Sequence, residues 1–328
     1  MDIHAMEVAP GVHRLAWSVG AKPMAMYLLA GDRLMLVDTG LPDTPAAVYL
    51  PAVEALGRRP EEVVLAVITH ADADHIGGNA ALRHVFPHAL LACHARDARL
   101  TSDPAVLTAE RYDAFWDDHK LRYDQAVFDV LASWMGPATP MDLLLCGGEQ
   151  LRFRDDEWLS LLELPGHTAG HIGLHHPGQR WAIVADAVFG RVQVNADGSP
   201  GAPPPYLDVA AYRQTITTLR ALDLELLLTC HYPVMRGPEI AAFLDASEAF
   251  VDDAERVTEE LLQGAAGPLT LAEAIGQAAP RLGPFGFSDD LKFAMLAHLE
   301  LAEARGRVER TRAGDRDVVA WRWMGADA

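Results

Sequence analysis

His70-Ala71-Asp72-Ala73-Asp74-His75, running on into Ile76-Gly77-Gly78, holds four potential metal ligands within six residues, with only alanine between them. Divalent ions such as zinc take imidazole nitrogens and carboxylate oxygens, and a tight turn aims several of them at one point. Packing alone needs nothing of this kind, because two crowded carboxylates raise each other's pKa unless a cation sits nearby. Residues 63–68, immediately before, are uninterruptedly apolar and read as a buried strand with Thr69-His70 at its C-terminal end. Strand ends that feed loops are where open α/β architectures place their chemistry.

Working outward, residues 12–17, 25–29 and 34–37 read as consecutive strands, the last two separated around Gly31-Asp32. Val37-Asp38-Thr39-Gly40 then leaves the sheet, and residues 44–56 have helical spacing that ends at Gly57. Residues 77–85 read as a helix and 89–92 as a strand. From about 95 to 140 the strand signals vanish. Tyr112, Phe115, Trp116, Tyr123, Phe128 and Trp134 stand there among Asp, Arg and Lys. This predicts a mostly helical insertion whose aromatics dock it on the core, cover a site as an apolar lid, or do both.

Strand patterns resume at 151–153, 158–164, 171–175, 181–184 and 224–228, with a helix at 209–222 after a stiff Gly/Pro-rich loop at 198–205. Two β-rich halves with interleaved helices predict an α/β fold, an αβ/βα four-layer sandwich, as a first domain of residues 1–245. Residues 246–328 then form a second, small domain. Within it, 254–263, 271–279 and 289–305 read as helices, with Thr270 capping the second and Ser288 the third. Residues 308–312 and 318–323 flank the hairpin signal at 313–317, completing the outline of a winged helix.

Three further pieces each end an apolar run: Leu164-Pro165-Gly166-His167-Thr168-Ala169-Gly170-His171, then Ala185-Asp186, then Cys230-His231-Tyr232-Pro233. Each alone is weak. In this order, after the first turn, they resemble the metallo-β-lactamase superfamily over roughly residues 10–240, with a glyoxalase II- or lactonase-like core. The resemblance implies two divalent metal ions, zinc foremost. His70, Asp72 and His167 would hold one, and Asp74, His75 and His231 the other, with Asp186 bridging. It makes Asp74 and Asp186 catalytic and His171 a supporting residue. It implies hydrolysis by a hydroxide shared between the metals, with no serine or cysteine nucleophile. Tyr206 and Tyr232 are candidate oxyanion donors. Cys230 reads as a small buried apolar residue, and His94, His119, His175 and His176 as surface or core residues.

Asp72 departs from the pattern, standing where most of the family has His. With that carboxylate, three ligand carboxylates and a hydroxide roughly neutralise two dications. The harder ligand also moves preference toward iron or manganese. The flavin-coupled di-iron branch of the superfamily carries a carboxylate at the same place, but no flavin-binding partner domain is visible here.

The formal charge of −19 argues against a nucleic-acid substrate, since such binding rests on neutralising phosphates with Lys and Arg. The tail repeats the argument: residues 268–328 carry eight Lys and Arg, Arg316 among them, against nine acids, Asp327 among them. Such a tail can pack on the catalytic domain or on a second subunit in a homodimer. No apolar run approaches membrane-spanning length. The N-terminus lacks a signal-peptide pattern, and three scattered cysteines form no disulfide framework, so the chain reads as cytoplasmic. The expected function is hydrolysis of a carboxylic ester, thioester or lactone in a small apolar acyl substrate. The alternatives are a phosphodiesterase or ribonuclease of the same fold, and a non-hydrolytic di-iron or regulatory metal protein.

Overall fold

The computed structural model describes residues 3–315 and 317–325. Arg316 of the expected hairpin turn and Asp327 of the tail's charge count lie outside the described residues.

The sandwich follows from how the strands divide their side chains. The first sheet runs in chain order through β1 (His4–Ala9), β2 (Val12–Val19), β3 (Lys22–Ala30), β4 (Leu34–Val37), β5 (Val63–Ile68), β6 (Leu90–His94) and β7 (Leu143–Leu145). Pairing is antiparallel as far as β4 and parallel from β4 to β7. The second sheet contains β8 (Gln150–Arg154), β9 (Glu157–Glu163), β10 (Ile172–His176), β11 (Trp181–Ile183), β12 (Leu226–Leu228) and β13 (Met235–Arg236), antiparallel except for β11 beside β12.

Successive strand residues point to opposite faces. Met35 and Val37 of β4 therefore meet Trp181 and Ile183 of β11 in the core between the sheets. Leu34 and Leu36 face the outer helices of the first sheet. Ala182, with Val184 just beyond the strand, faces those of the second. Strands buried on both faces must be apolar throughout, which is why residues 34–37 and 63–68 are continuous hydrophobic runs. β1 escaped the sequence reading because it lies at the sheet edge with four of its six residues exposed, so it carries no alternation.

The insertion is helical, as expected: Ala98–Ser102, Pro104–Leu107, a π-type turn at Thr108–Tyr112, Trp116–His119 and Gln125–Trp134. Beyond the second sheet the structure differs from expectation. One 27-residue helix, Pro238–Gly264, runs through the boundary placed at residue 245. Ile240, Leu244, Ser247, Val251 and Ala254 keep one buried face throughout, and no breaker interrupts them. Helices Leu271–Leu282 and Leu291–Ala304 follow, with a small sheet of β14 (Leu269–Thr270), β16 (Val318–Trp323) and β15 (Val308–Ala313) in that order. Thr270 caps its helix through a reciprocal bond with Glu273. Asp290, not Ser288, stands at the N-cap of the next helix, and Ser288 contributes its carbonyl to Leu291 N.

The tail is not a separate globule. Phe250, Phe293 and Trp321 share one hydrophobic cluster with Leu164, Ala182 and Tyr212 of the sandwich. At that seam Tyr206 Oη lies 2.7 Å from His298 Nε2, both buried. Burial pushes the His298 pKa down from its ordinary 6.5 to about 3. When unfolded, this imidazole takes a proton near pH 6.5; when folded, it stays neutral. Its contribution to stability is therefore present above about pH 6.5 and is lost as the pH falls towards about 3. His298→Gln should be less stable than the parent at neutral pH, yet lose roughly 2–3 kcal/mol less on going from about pH 7 to 4.5. Urea unfolding across that range checks this, and parallel curves for the two proteins would contradict it.

Candidate metal centre

The centre is assembled from strand ends. His70 follows β5, Asp38 follows β4, Asp186 lies three residues past β11, and His231 three past β12. Asp38, at φ 62°, turns its buried carboxylate back into the structure. It accepts from Thr69 N (2.7 Å) and Thr69 Oγ1 (2.9 Å) and lies 2.8 Å from His75 Nδ1. One residue thus ties the turn after β4 to the segment after β5 and aims His75 Nε2 inward.

The other imidazoles are held by the same device. His167 Nδ1 lies 2.9 Å from the Pro205 carbonyl and His231 Nδ1 2.7 Å from the Pro23 carbonyl. A carbonyl only accepts, so Nδ1 bears a proton in each and Nε2 is turned to the centre. Gly166 is required before His167: at φ 134° a Cβ there would stand 2.6 Å from Tyr212 Cα. Thr168 and Gly170 then donate to Asp97, which closes the loop.

Two clusters result. In the second, His231 Nε2 lies 3.0 Å from Asp186 Oδ2 and 3.4 Å from Asp74 Oδ2, while His75 Nε2 lies 3.6 Å from Asp186 Oδ2. Two ligands each about 2.1 Å from one ion stand roughly 3–3.5 Å apart, so these spacings suit a shared cation. Nε2 of His75 and of His231 are buried and converge on the one carboxylate oxygen of Asp186, so the donor atoms face a single point. Cys230, read from the sequence as an apolar filler, brings its sulfur to the same point. Its Sγ and one ligand atom each of His75, Asp186 and His231 all lie within 4.8 Å of one another.

The electrostatics agree. Burial works against charge on both imidazoles, yet Asp38 holds His75 well above its ordinary range and Asp186 lifts His231 to about 10. Burial likewise opposes charge on the carboxylates. Lys22 beside Asp74, and His231 and His75 beside Asp186, nevertheless keep both well below the usual range. Carboxylates that hold imidazolium protons this firmly hold a divalent cation by the same attraction.

The first cluster brings together His70, Asp72 and His167, with Asp72 Oδ2 at 2.9 Å from His167 Nε2 and 3.5 Å from His70 Nε2. Arg111 stands inside it. Its Nε donates to Asp72 Oδ1, and its Nη2 lies 2.9 Å from Asp72 Oδ2 and 3.2 Å from His167 Nε2. Tyr112 Oη donates to Asp72 Oδ1 at 3.0 Å. A dication about 4 Å from a guanidinium is repelled by about 8 kcal/mol at an effective dielectric near 20, which cancels much of what Asp72 offers. The residues of this cluster, as arranged, do not fit a metal.

The remaining expected residues are placed as follows. His171 stacks on His70 with ring centroids 4.7 Å apart and carries no hydrogen bond on either nitrogen. Neither candidate oxyanion donor faces the clusters. The Tyr206 hydroxyl is engaged with His298, and the Tyr232 hydroxyl accepts from Gly190 N and donates to the Val192 carbonyl. Burial leaves them holding backbone and seam together. Lys22, Asp38, Asp97 and Arg111 were not read as site residues. Asp38 was legible as a turn residue after an apolar run, but Lys22 and Arg111 carry no local signal.

With this geometry established, comparison with known proteins is direct. Residues 20–231 match the model of the metallo-beta-lactamase superfamily, and the chain belongs to that superfamily. It is 28% identical over 152 residues to a hydroxyacylglutathione hydrolase from Cereibacter sphaeroides, covering 46% of this chain and 44% of the relative. The chain thus spans less than half the length of that relative. It is 25% identical over 249 residues to the probable metallo-hydrolase YflN from Bacillus subtilis, covering 70% of this chain and 87% of the relative. A metallo-beta-lactamase family protein from Thermus thermophilus superposes with a TM-score of 0.71 at 22% identity, over 97% of this chain and all of the other. The family model carries the membership, and the structural likeness is one of fold. Among the described residues no helix is long and apolar enough to cross a membrane.

Asp38→Asn tests the support of the second cluster. Asparagine tolerates positive φ, so the backbone survives while the negative partner of His75 is lost. Metal affinity should fall about 10–100-fold, read by competition with a chelating dye. Unchanged affinity in the folded variant would remove Asp38 from the centre.

Proposed function

We propose that this chain hydrolyses a carboxylic ester, thioester or lactone in a small apolar acyl substrate, using a divalent ion, zinc foremost, held by Asp74, His75, Asp186 and His231. One observation carries the reading. A cavity of about 340 Å³ joins Asp74, His167 and Asp186 on one wall to Val127, Val130, Leu131 and Trp134 on another, with Phe287 and Phe293 completing it. Polar groups at one end of an apolar pocket suit an acyl chain with one reactive carbonyl. The similarity to a hydroxyacylglutathione hydrolase supports the thioester among these bonds. The thiol of Cys230 in the second cluster favours zinc over the iron or manganese that Asp72 suggested.

An ion bound in that cluster would supply Lewis acidity and a more acidic water. The chain's own residues do the rest. Helix Gln125–Trp134 lines one wall of the cavity with Val127, Val130, Leu131 and Trp134. Lys22 Nζ, 2.8 Å from Asp74 Oδ2, lines the cavity as a fixed positive charge for a developing oxyanion. Asp186 sets its Oδ2 between the two imidazoles of the cluster, 3.6 Å from His75 Nε2 and 3.0 Å from His231 Nε2. Lys22 and Arg111 together also favour an anionic phosphodiester as the second reading, which the net charge of −19 opposes.

A panel of nitrophenyl esters, a thioester and bis-nitrophenyl phosphate decides between them. The acyl substrates should be turned over, turnover should stop on chelation, and zinc should restore it; preference for the phosphodiester would overturn the acyl reading. Asp186→Ala should reduce turnover by about 100-fold or more while leaving the fold intact, because the ligands sit on loops and the core on strands. Near-normal turnover in that variant would exclude Asp186 from the chemistry.

A further inference from the structure

We infer that Arg111 takes the place of one of the two ions implied by the ligand pattern, so that the centre carries a single divalent ion, in the second cluster. The inference rests on the metal-dependent reading above and goes beyond it.

The guanidinium is placed where an ion of the first cluster would have to be. Nη2 approaches both Asp72 Oδ2 (2.9 Å) and His167 Nε2 (3.2 Å). His167 has an Nδ1 proton on the Pro205 carbonyl, and its Nε2 is already taken up between Asp72 Oδ2 at 2.9 Å and Arg111 Nη2 at 3.2 Å. Asp72 is equally committed. Oδ1 takes Arg111 Nε and the Tyr112 hydroxyl, and Oδ2 takes Nη2. In the second cluster Lys22 reaches Asp74 alone, and His75 Nε2 and His231 Nε2 converge on Asp186 Oδ2 at 3.6 and 3.0 Å with no guanidinium between them; in the first, only His70 Nε2 is left without a hydrogen bond.

Nor is Arg111 a surface side chain that happens to fold inward. It is 4% exposed, its Nη1 donates to the His167 carbonyl at 3.3 Å, and its guanidinium lies 5.4 Å from the Phe293 ring centre. A rigid fork that matches a carboxylate through two parallel bonds is what arginine supplies and lysine does not.

This accounts for Asp72. An imidazole at that position has no negative charge with which to keep a guanidinium out of water, whereas a carboxylate has. The departure at residue 72 and the arginine at residue 111 therefore form one complementary pair. Its consequence is a permanent positive charge on the cavity wall, beside the second cluster, that neither chelators nor pH near neutrality can remove.

Native mass spectrometry and elemental analysis after loading with excess zinc and desalting give the test. The unaltered protein should retain one zinc per chain. His231→Ala should retain none. Arg111→Ala should gain a second. Removing Arg111 leaves Asp72 buried and unpaired, so the double variant Asp72→His/Arg111→Ala, which offers three imidazoles and no guanidinium, should also bind two. Two zinc ions in the unaltered protein would overturn this inference alone. So would one zinc in both Arg111 variants when circular dichroism shows them folded. No zinc in the folded, unaltered protein would overturn the metal-dependent reading and this inference with it.

Discussion

Buried carboxylates need cations, and the centre of this molecule is arranged around that need. Asp38, Asp74 and Asp186 are buried and Asp72 nearly so, all where the strand ends of the two sheets meet. Removing a carboxylate from water costs several kcal/mol unless opposite charge and hydrogen bonds replace the solvent. Each has its partner: His75 and Thr69 for Asp38, Lys22 for Asp74, His231 and His75 for Asp186, and Arg111 for Asp72. The imidazoles are in turn fixed through their outward nitrogens by Asp38, Pro23 and Pro205, so the inward nitrogens have one direction to face.

The sandwich makes this network possible because the strands that lead to it, β4, β5, β11 and β12, are apolar on both faces. Polar side chains are excluded from those four strands and collect beyond their ends, where the two sheets meet. The helical insertion then serves two roles from adjacent segments. Thr108–Tyr112 supplies Arg111 and Tyr112 to Asp72, and Gln125–Trp134 supplies the apolar wall of the cavity. The insertion's aromatics divide between two surfaces: Phe115 packs edge-on against Phe293 in the core, and Tyr123 and Trp134 line the cavity.

The C-terminal segment is part of this architecture. Phe293 touches the core through Phe115 and lies against the Arg111 guanidinium, while Phe287 closes the cavity. A change in how the helix Leu291–Ala304 packs would therefore reach the cavity wall directly, which connects the tail physically to the cavity.

The amino-acid sequence by itself determined the strands buried on both faces, the helical insertion, and the positions of His70, Asp72, Asp74, His75, His167, Asp186 and His231. Those signals are local: an apolar run ends, and ligand-type residues follow within a few positions. Only the tertiary structure decided which partner each charge receives. Asp72 and Arg111 are 39 residues apart, and Lys22 and Asp74 are 52 apart. Cys230 joins the second cluster only because β12 lies beside β11. Tyr206 and Tyr232 look like donors until the seam with His298 and the loop at Gly190 claim their hydroxyls. Charge pairing in a buried centre depends on distances of a few ångströms, and sequence separation carries no information about those.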